Sequence, residues 1–326
     1  MNQQRVQPTL SPGRRGFTLV ELLVVIFVIA LLIALLLPAV NSVRVRVRIT
    51  QLQAEVNRLA TAVTSFKSNY GSEPPSYIVL CEDPAAWVDT STAAIAAERA
   101  RSRALIRQLW PQFDFTIARN FNPDVNNPSS PTAPLDDDTT DIYYVEPGEC
   151  LVLFLGGLPV RDYSTGNVQW SLRGFTKNPQ NPFSLANNAN RESAAYDFDA
   201  ARLIDLDNDG FPEFRDSWPS QPNPILYFSS YDGNGYRAAE FPGGNFPASP
   251  YLQGGNLNAQ PFNPKSFQII SPGGDGIYGF GGPYQPGGPT PLPGWTRTTP
   301  ALTVTVAQRQ VEDDNITNFG NGRLVP

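Results

Sequence analysis

The chain has 326 residues but no histidine, and it contains only two cysteines and one methionine. The absence of histidine removes the commonest general base, the usual nitrogen ligand of zinc, and every Ser–His or Cys–His nucleophile. Catalysis by paired carboxylates is still open to such a chain, but no acidic pair stands at a recognisable spacing near aromatic residues. We therefore expect a protein that is not an enzyme.

The chain also carries little charge of either sign. Charged residues make up 17% of the sequence and the net charge is −6, with no basic stripe beyond the segment 44–48. Nucleic-acid binding relies on such a stripe, so we expect no nucleic-acid partner. Glycine and proline, by contrast, are abundant at 26 and 32 residues. This composition predicts that the C-terminal two-thirds are rich in loops.

One long apolar run lies near the N-terminus. It extends from Phe17 to Val40 and follows two arginines and Gly16. The apolar core of a signal peptide has about 7–15 residues, whereas this run is long enough to cross a bilayer of ~30 Å as a helix. Glu21 lies inside the run, where an unpaired charge costs at least ~2.5–3.5 kcal/mol. No cation follows within the next helical turns, so we expect the partner of Glu21 to come from elsewhere.

The segment Gly16-Phe17-Thr18-Leu19-Val20-Glu21 resembles the prepilin peptidase site of type IV pilins and type II secretion pseudopilins. The resemblance implies cleavage after Gly16 and methylation of the new amine on Phe17. It also implies that Glu21 neutralises that amine on a neighbouring subunit during assembly, and a buried carboxylate is tolerable in such a pair. In this family a proline at the position of Pro38 lies where the helix melts on assembly.

A helical pattern continues well past the apolar run. Apolar residues spaced alternately four and three apart predict one continuous stripe on a helix. The stripe consists of Val45, Ile49, Leu52, Val56, Leu59, Val63, Phe66 and Tyr70. A helix from Phe17 to Tyr70 would be about 80 Å long. Pro38 removes one backbone hydrogen bond and should kink or loosen the preceding turn.

These patterns divide the chain into segments. We expect a cleaved leader at 1–16, a transmembrane and assembly helix at 17–40, an amphipathic continuation at 41–70 and a globular domain at 71–326. Within that domain, residues 77–141 match nothing in the family and form an insertion.

The insertion and the segment after it carry weaker signals. Ile95, Arg99, Ala104 and Leu105 suit a surface helix, and residues 120–141 read as a loop with an acidic run at 136–138. The segment 147–157 is a short buried helix or a buried strand, because periodicity alone does not separate the two.

The two cysteines, Cys81 and Cys150, allow one disulfide if the domain is exported. Such a bridge would constrain the unfolded chain by roughly 4 kcal/mol in the chain-entropy model. In the alternative interpretation Cys150 is a core residue and Cys81 a loop thiol. We take the bridge as the expectation, because one pair is available in an oxidising compartment.

Three segments between residues 205 and 319 resemble major pseudopilins, in which they form a small antiparallel sheet and its turns. The segments are 216–227, 267–276 and 312–319. Pro219 replaces a usual glycine, Phe319 a usual tryptophan, and an insertion follows Asp275. The resemblance implies that Asp275, Asp313 and Asp314 hold Ca²⁺.

A separate acidic pattern lies at 205–216. Asp205, Asp207 and Asp209 occupy positions one, three and five of a loop with glycine at six, which is what a calcium loop needs. The further ligand positions are Phe211, Glu213 and Asp216. Position twelve is an aspartate where a true EF-hand has glutamate, and no flanking helices are evident. The alternative is an acidic turn without metal.

The combined prediction is an α+β, pilin-like fold, in which a long N-terminal transmembrane helix packs on a small antiparallel sheet with loop-rich insertions. The predicted function is a structural subunit of a periplasmic type II secretion pseudopilus. A minor type IV pilin that binds a ligand or surface is the alternative, and a membrane-tethered carbohydrate-active enzyme is a third hypothesis.

The family implies several partners and a location. The partners are further copies of the chain, minor pseudopilins, prepilin peptidase and the inner-membrane assembly platform. The chain would be a single-pass inner-membrane protein before assembly, with its globular domain in the periplasm, and part of a periplasmic filament afterwards.

Overall fold

The computed structural model describes residues 17–121, 123–125, 142–163, 168–218, 222–237, 240, 250–298 and 301–325. The chain divides into two units, one ending at Val47 and one beginning at Arg48. The predicted leader, including Gly16, and the acidic run at 136–138 lie outside the described residues.

From Leu19 onwards, the first unit is helical. Helix α1 comprises Leu19–Tyr70, 52 residues, and its first half belongs to this unit. All residues from Phe17 to Leu37 are exposed, and α1 is the one helix in the described part of the chain that is long and apolar enough to span a membrane. The helix continues through Pro38, so this proline does not end it.

In the second unit, the outer half of α1 forms one wall of the core. The predicted apolar stripe is confirmed from its third to its seventh residue, because Leu52, Val56, Leu59, Val63 and Phe66 are all buried. A period of 3.6 residues places these side chains on one face of the helix. That face packs against the main hydrophobic core of the domain.

Helix α1 ends where the sequence predicts. Gly71 follows it with a φ of +78°, a conformation that glycine adopts without steric cost, and its N–H bonds to the carbonyl of Lys67 at 2.8 Å. The Lys67 ammonium then forms ion pairs with Glu73 at 3.1 Å and Asp232 at 2.7 Å. These contacts fix the turn at the end of the helix to the globular part.

Two further helices and fourteen short strands complete the described structure. Helices α2 and α3 are Ala93–Leu109 and Pro147–Gly156, and short 3-10 helices lie at Ala86–Val88, Ala200–Arg202 and Ala307–Glu312. The strands are β1 (Ile78–Cys81), β2 (Asp124–Val125), β3 (Ile142–Val145), β4 (Leu158–Asp162), β5 (Gln169–Arg173), β6 (Leu203–Ile204), β7 (Glu213–Phe214), β8 (Leu226–Ser229), β9 (Tyr251–Gln253), β10 (Phe267–Ser271), β11 (Gly282–Tyr284), β12 (Trp295–Thr298), β13 (Ala301–Val304) and β14 (Ile316–Thr317). They form small sheets of two or three strands, and most of the pairings are antiparallel.

The three segments that resemble pseudopilins join in one antiparallel sheet, in the order β14–β10–β8. Ile269 pairs with Tyr227, and Ile270 pairs with Thr317. The side chain of Gln53 on α1 donates to the carbonyl of Thr317 at 3.1 Å, which ties the helix to the edge of this sheet. A long helix with several small antiparallel sheets confirms the predicted α+β, pilin-like fold.

Helix α3 resolves the ambiguity of segment 147–157, because every residue from Pro147 to Gly156 is helical and buried. Proline at the start and a reciprocal cap between Glu146 and Glu149 favour the helix over a strand. Gly157 ends it with a φ of +101°, where a Cβ would lie 2.2 Å from the carbonyl oxygen of Arg173. Only glycine fits there.

The described part of the insertion packs into the core of the domain. Helix α2 confirms the predicted surface helix, but its inner face is buried and the Ser102 hydroxyl accepts a hydrogen bond from the N–H of Val79 in β1 at 2.8 Å. Arg99 is also buried and pairs with Asp89 at 3.0 Å. The insertion therefore belongs to the same globular unit as the rest of the domain.

The disulfide prediction is wrong, because both cysteines are free and buried. Cys81 pairs with Ile142 at one end of the β1–β3 ladder, whereas the thiol of Cys150 donates to the carbonyl of Val145 at the other end. Three strand residues separate these ends by about 10 Å, too far for a bridge. Cys150 is a core residue, as the alternative interpretation predicted. Cys81, however, belongs to strand β1 and not to a loop.

Candidate functional site

The N-terminal motif forms a capping box at the start of α1. The Thr18 hydroxyl accepts a hydrogen bond from the N–H of Glu21 at 3.1 Å. The Glu21 carboxylate in turn accepts from the N–H of Thr18 at 2.9 Å and from its hydroxyl at 2.8 Å. This reciprocal arrangement satisfies N–H groups that the first helical turn leaves unpaired.

The capping box gives Glu21 a local partner that our sequence interpretation missed. The signal was available, since threonine followed three residues later by glutamate is the pattern of such a cap. Thr18 is neutral, however, so it satisfies hydrogen bonds of Glu21 without cancelling its charge. Phe17 precedes the helix and is 80% exposed. A carboxylate and the predicted amine position thus lie at the same end of an exposed apolar helix.

A second candidate site lies at the acidic loop between β6 and β7. Asn208 and Gly210 have φ values of +62° and +95°, which turn the chain sharply. The Asp209 carboxylate accepts from the N–H of Phe211 at 2.8 Å, and Asp207 accepts from the N–H of Asp209 at 3.3 Å. The aspartates at positions three and five therefore cap the loop with one oxygen each.

Asp205 begins this loop. One of its oxygens, Oδ2, accepts from the N–H of Gly210 at 3.1 Å and from the guanidinium of Arg161 at 3.2 Å. The other oxygen, Oδ1, is buried and has no hydrogen-bond partner. The same Arg161 guanidinium also pairs with Asp124.

The structure adds a residue that the sequence did not suggest. Glu149, in the first turn of α3, brings a carboxylate oxygen within 4.8 Å of one oxygen each from Asp207 and Asp209. Glu149 is only 2% exposed, and its Oε2 accepts from the N–H of Glu146 at 2.6 Å. Among the described residues, none of these three carboxylates has an ion pair with lysine or arginine. Nothing local in the sequence links Glu149 to the loop.

Burial sets the electrostatics of this cluster. It raises the pKa of Glu149 and of Asp209, because charged carboxylates lose solvation there, and the neighbouring carboxylates raise both further. Burial also raises the pKa of Asp205, and that of Glu213 to about 8. The protein around the cluster therefore compensates little of the negative charge that these carboxylates carry when they are ionised.

Neither Glu213 nor Asp216, at later positions of the predicted calcium loop, belongs to the group of oxygens from Glu149, Asp207 and Asp209. Asp216 accepts hydrogen bonds from the hydroxyl of Ser271 and from the N–H of Trp218, so it faces the sheet at β10. Glu213 accepts from the N–H of Leu206 at 3.2 Å, and Phe211 is buried among aromatic rings. The loop is therefore not a complete EF-hand loop.

The C-terminal carboxylates lie around one turn, where Asp275 and Asp314 accept backbone hydrogen bonds. Asp314 accepts hydrogen bonds from the N–H of Gly274 at 2.6 Å and of Asp275 at 3.1 Å, and Asp275 accepts from the N–H of Ile277 at 2.8 Å. In the part of the chain that the structure describes, Asp275, Asp313 and Asp314 do not bring three carboxylate oxygens within 4.8 Å of one another. Asp314 here serves to close the turn, and calcium at these residues stays a prediction of the family resemblance.

Comparison with known proteins gives one match. The family model described as the prokaryotic N-terminal methylation motif matches residues 11–37. No curated protein and no solved structure shows significant similarity to this chain. The matched residues include Gly16, Phe17, Thr18 and Glu21, so they contain the capping box and the first turns of α1. The motif implies processing by prepilin peptidase and assembly into a pilus-like polymer. The chain therefore carries, at residues 11–37, the prepilin-type signal of type IV pilins and pseudopilins.

Proposed function

We propose that this protein is a structural subunit of the periplasmic pseudopilus of a type II secretion system. The observation that carries the proposal is the methylation motif at the start of an apolar helix whose residues 17–37 are all exposed. An apolar surface of this length needs a bilayer or neighbouring copies to cover it. It serves as a membrane anchor before assembly and as the filament core afterwards.

Charge pairing guides the assembly step in this proposal. Cleavage after Gly16 would create an amine on Phe17, and Glu21 of a neighbouring copy would neutralise it. A buried carboxylate and a buried ammonium are each costly alone but tolerable as a pair. The hydrogen bonds from Thr18 hold the Glu21 side chain at the helix terminus until the neighbouring amine arrives.

The C-terminal sheet favours a pseudopilus over a type IV pilus. The three segments that resemble major pseudopilins lie side by side as β14, β10 and β8 and contact the same core as α1. Helix α2 of the insertion packs directly on β1 through Ser102 and Val79, so it does not form a separate ligand-binding module. A minor pilin that binds a ligand through a separate module is therefore the weaker alternative.

Deletion of the gene in its native host tests the proposal. We expect substrates of the secretion system to accumulate in the periplasm, because a pseudopilus without its subunit cannot drive export. The measurement is the activity of a secreted enzyme in the medium against the periplasm, with and without the wild-type gene supplied in trans. A Gly16→Leu chain, blocked at the peptidase site, serves as the matched control and should not restore secretion. Normal secretion with loss of surface pili would instead identify a type IV pilus subunit.

A further inference from the structure

The acidic cluster between α3 and the β6–β7 loop has the composition of a cation site. We propose that it binds Ca²⁺, with ligands from Glu149, Asp207 and Asp209 and a fourth ligand from Oδ1 of Asp205. The site joins the first turn of a buried helix to a surface loop that is distant in sequence. It is separate from the C-terminal acidic residues at which the family resemblance implies calcium.

The distances fit one ion. Calcium binds oxygen ligands at about 2.3–2.6 Å, so two ligands on opposite sides of the ion lie up to about 5 Å apart. The three ligand oxygens of Glu149, Asp207 and Asp209 all lie within 4.8 Å of one another. A single calcium ion can therefore touch all three without a large movement of the backbone.

An independent observation comes from Asp205, whose side chain is only 4% exposed. Its Oδ2 bonds across the loop to the N–H of Gly210, which holds the carboxylate inside the loop. Its Oδ1 is buried without any hydrogen-bond partner, an arrangement that costs free energy unless a ligand satisfies the atom. A cation in the loop supplies what this oxygen lacks.

Charge points to a divalent cation. The carboxylates of Glu149, Asp207 and Asp209 lie close together without an ion pair among the described residues, and the nearby guanidinium of Arg161 is shared between Asp205 and Asp124. Carboxylates this close repel each other when ionised, and this repulsion is relieved by a doubly charged ion.

The ligand set favours Ca²⁺ over Mg²⁺. Calcium accepts six to eight oxygens in irregular geometry, whereas magnesium demands a near-ideal octahedron and keeps several waters. A cavity of about 430 Å³, lined by Tyr143, Tyr144, Asp207 and Asp209, opens onto the loop. It gives the ion a path of entry and leaves room for water ligands.

Binding should couple the loop to the core. Glu149 belongs to a fully buried helix, while Asp207 is exposed on the loop between β6 and β7. An ion that both residues share fixes the β6–β7 hairpin against α3. We therefore expect the stability of the domain to depend on calcium.

The test compares the full-length protein in detergent with a variant in which Asp207→Asn and Asp209→Asn are combined. Asparagine keeps the oxygens that cap the loop but removes two charges, so the variant should fold. Titration calorimetry with CaCl₂ should show binding by the wild type and none by this variant, and MgCl₂ should not compete at equal concentration. The melting temperature of the wild type should rise by about 5 °C at 100 times the dissociation constant.

The matched control is Asp275→Asn combined with Asp313→Asn, which removes two acidic groups from the C-terminal segment. It should bind Ca²⁺ as the wild type does. In chelator, the Asp207→Asn/Asp209→Asn variant should melt above the wild type, because it has lost the repulsion. Terbium provides a second readout, since Tb³⁺ at the cluster would be sensitised by Tyr143 and Tyr144. Absence of calcium binding by the wild type, equal binding of Mg²⁺, or binding lost only in the C-terminal control would each overturn the proposal.

Discussion

A chain with Glu21→Ala should be cleaved and yet be absent from filaments. The peptidase site keeps Gly16 and Phe17, so processing proceeds. Assembly would bury the amine of Phe17 against an apolar helix with no carboxylate to neutralise it. Breaking a buried ion pair by removing one partner costs about 3–5 kcal/mol, equivalent to a factor of about 100 or more in subunit addition. The measurement is the amount of the chain in the sheared filament fraction relative to the membrane fraction.

Glu21→Gln separates the two roles of this side chain. Glutamine at the third helical position can still form the capping box with Thr18, but it carries no charge. If pairing with the amine drives assembly, this variant should fail as alanine does. Normal filaments with Glu21→Gln would show that the cap at the helix start suffices, and they would contradict the charge-pairing step.

Replacing Arg309 with methionine should destabilise the globular domain by about 3–5 kcal/mol. Arg309 and Glu312 are both 0% exposed, and their side chains meet at 2.7 Å and 3.1 Å. Arg309 also donates to the carbonyls of Pro283, in β11, and of Pro293, in the loop before β12. Without the guanidinium, the Glu312 carboxylate is buried without a counter-charge. Urea denaturation of the purified protein measures the free energy of unfolding.

The double variant Arg309→Met/Glu312→Gln is the control for this prediction. It removes the orphaned charge but keeps an oxygen that can accept the N–H of Phe280, now bonded to Glu312 at 2.9 Å. We expect it to recover a large part of the lost stability. A loss below about 1 kcal/mol in the single variant, typical of surface pairs, would show that this buried pair does not hold the C-terminal turns together.

Local periodicity and resemblance account for the parts of the fold that the sequence predicted. The stripe from Leu52 to Phe66 was readable because helical neighbours recur every three or four residues. The strands β8, β10 and β14 were found by their resemblance to pseudopilins, although their pairing depends on contacts between distant segments. For α3, the ambiguity between helix and strand was resolved by a cap that involves Glu146 and Glu149.

Long-range contacts explain what the sequence analysis missed. Glu149 reaches the acidic loop only because α3 packs beside the β6–β7 hairpin, and the sequence holds no local trace of this packing. The distance between Cys81 and Cys150 likewise depends on the register of β1 and β3. The number of cysteines in the sequence gives no information about that register. Asp216 continues the spacing of a calcium loop but is bound by Ser271 of another strand. The Thr18–Glu21 cap, by contrast, was readable from spacing alone.

Mass analysis of the N-terminus, on protein isolated from the membranes of the native host, tests the central claim most directly. The prepilin-type signal at residues 11–37 predicts a mature chain that begins with N-methyl-Phe17. A Gly16→Leu chain should keep residues 1–16 in the same host, because a bulky side chain blocks the scissile bond. A wild-type protein that retains residues 1–16, or that begins elsewhere without a methylated amine, would contradict the assignment of this chain as a pilin-like subunit.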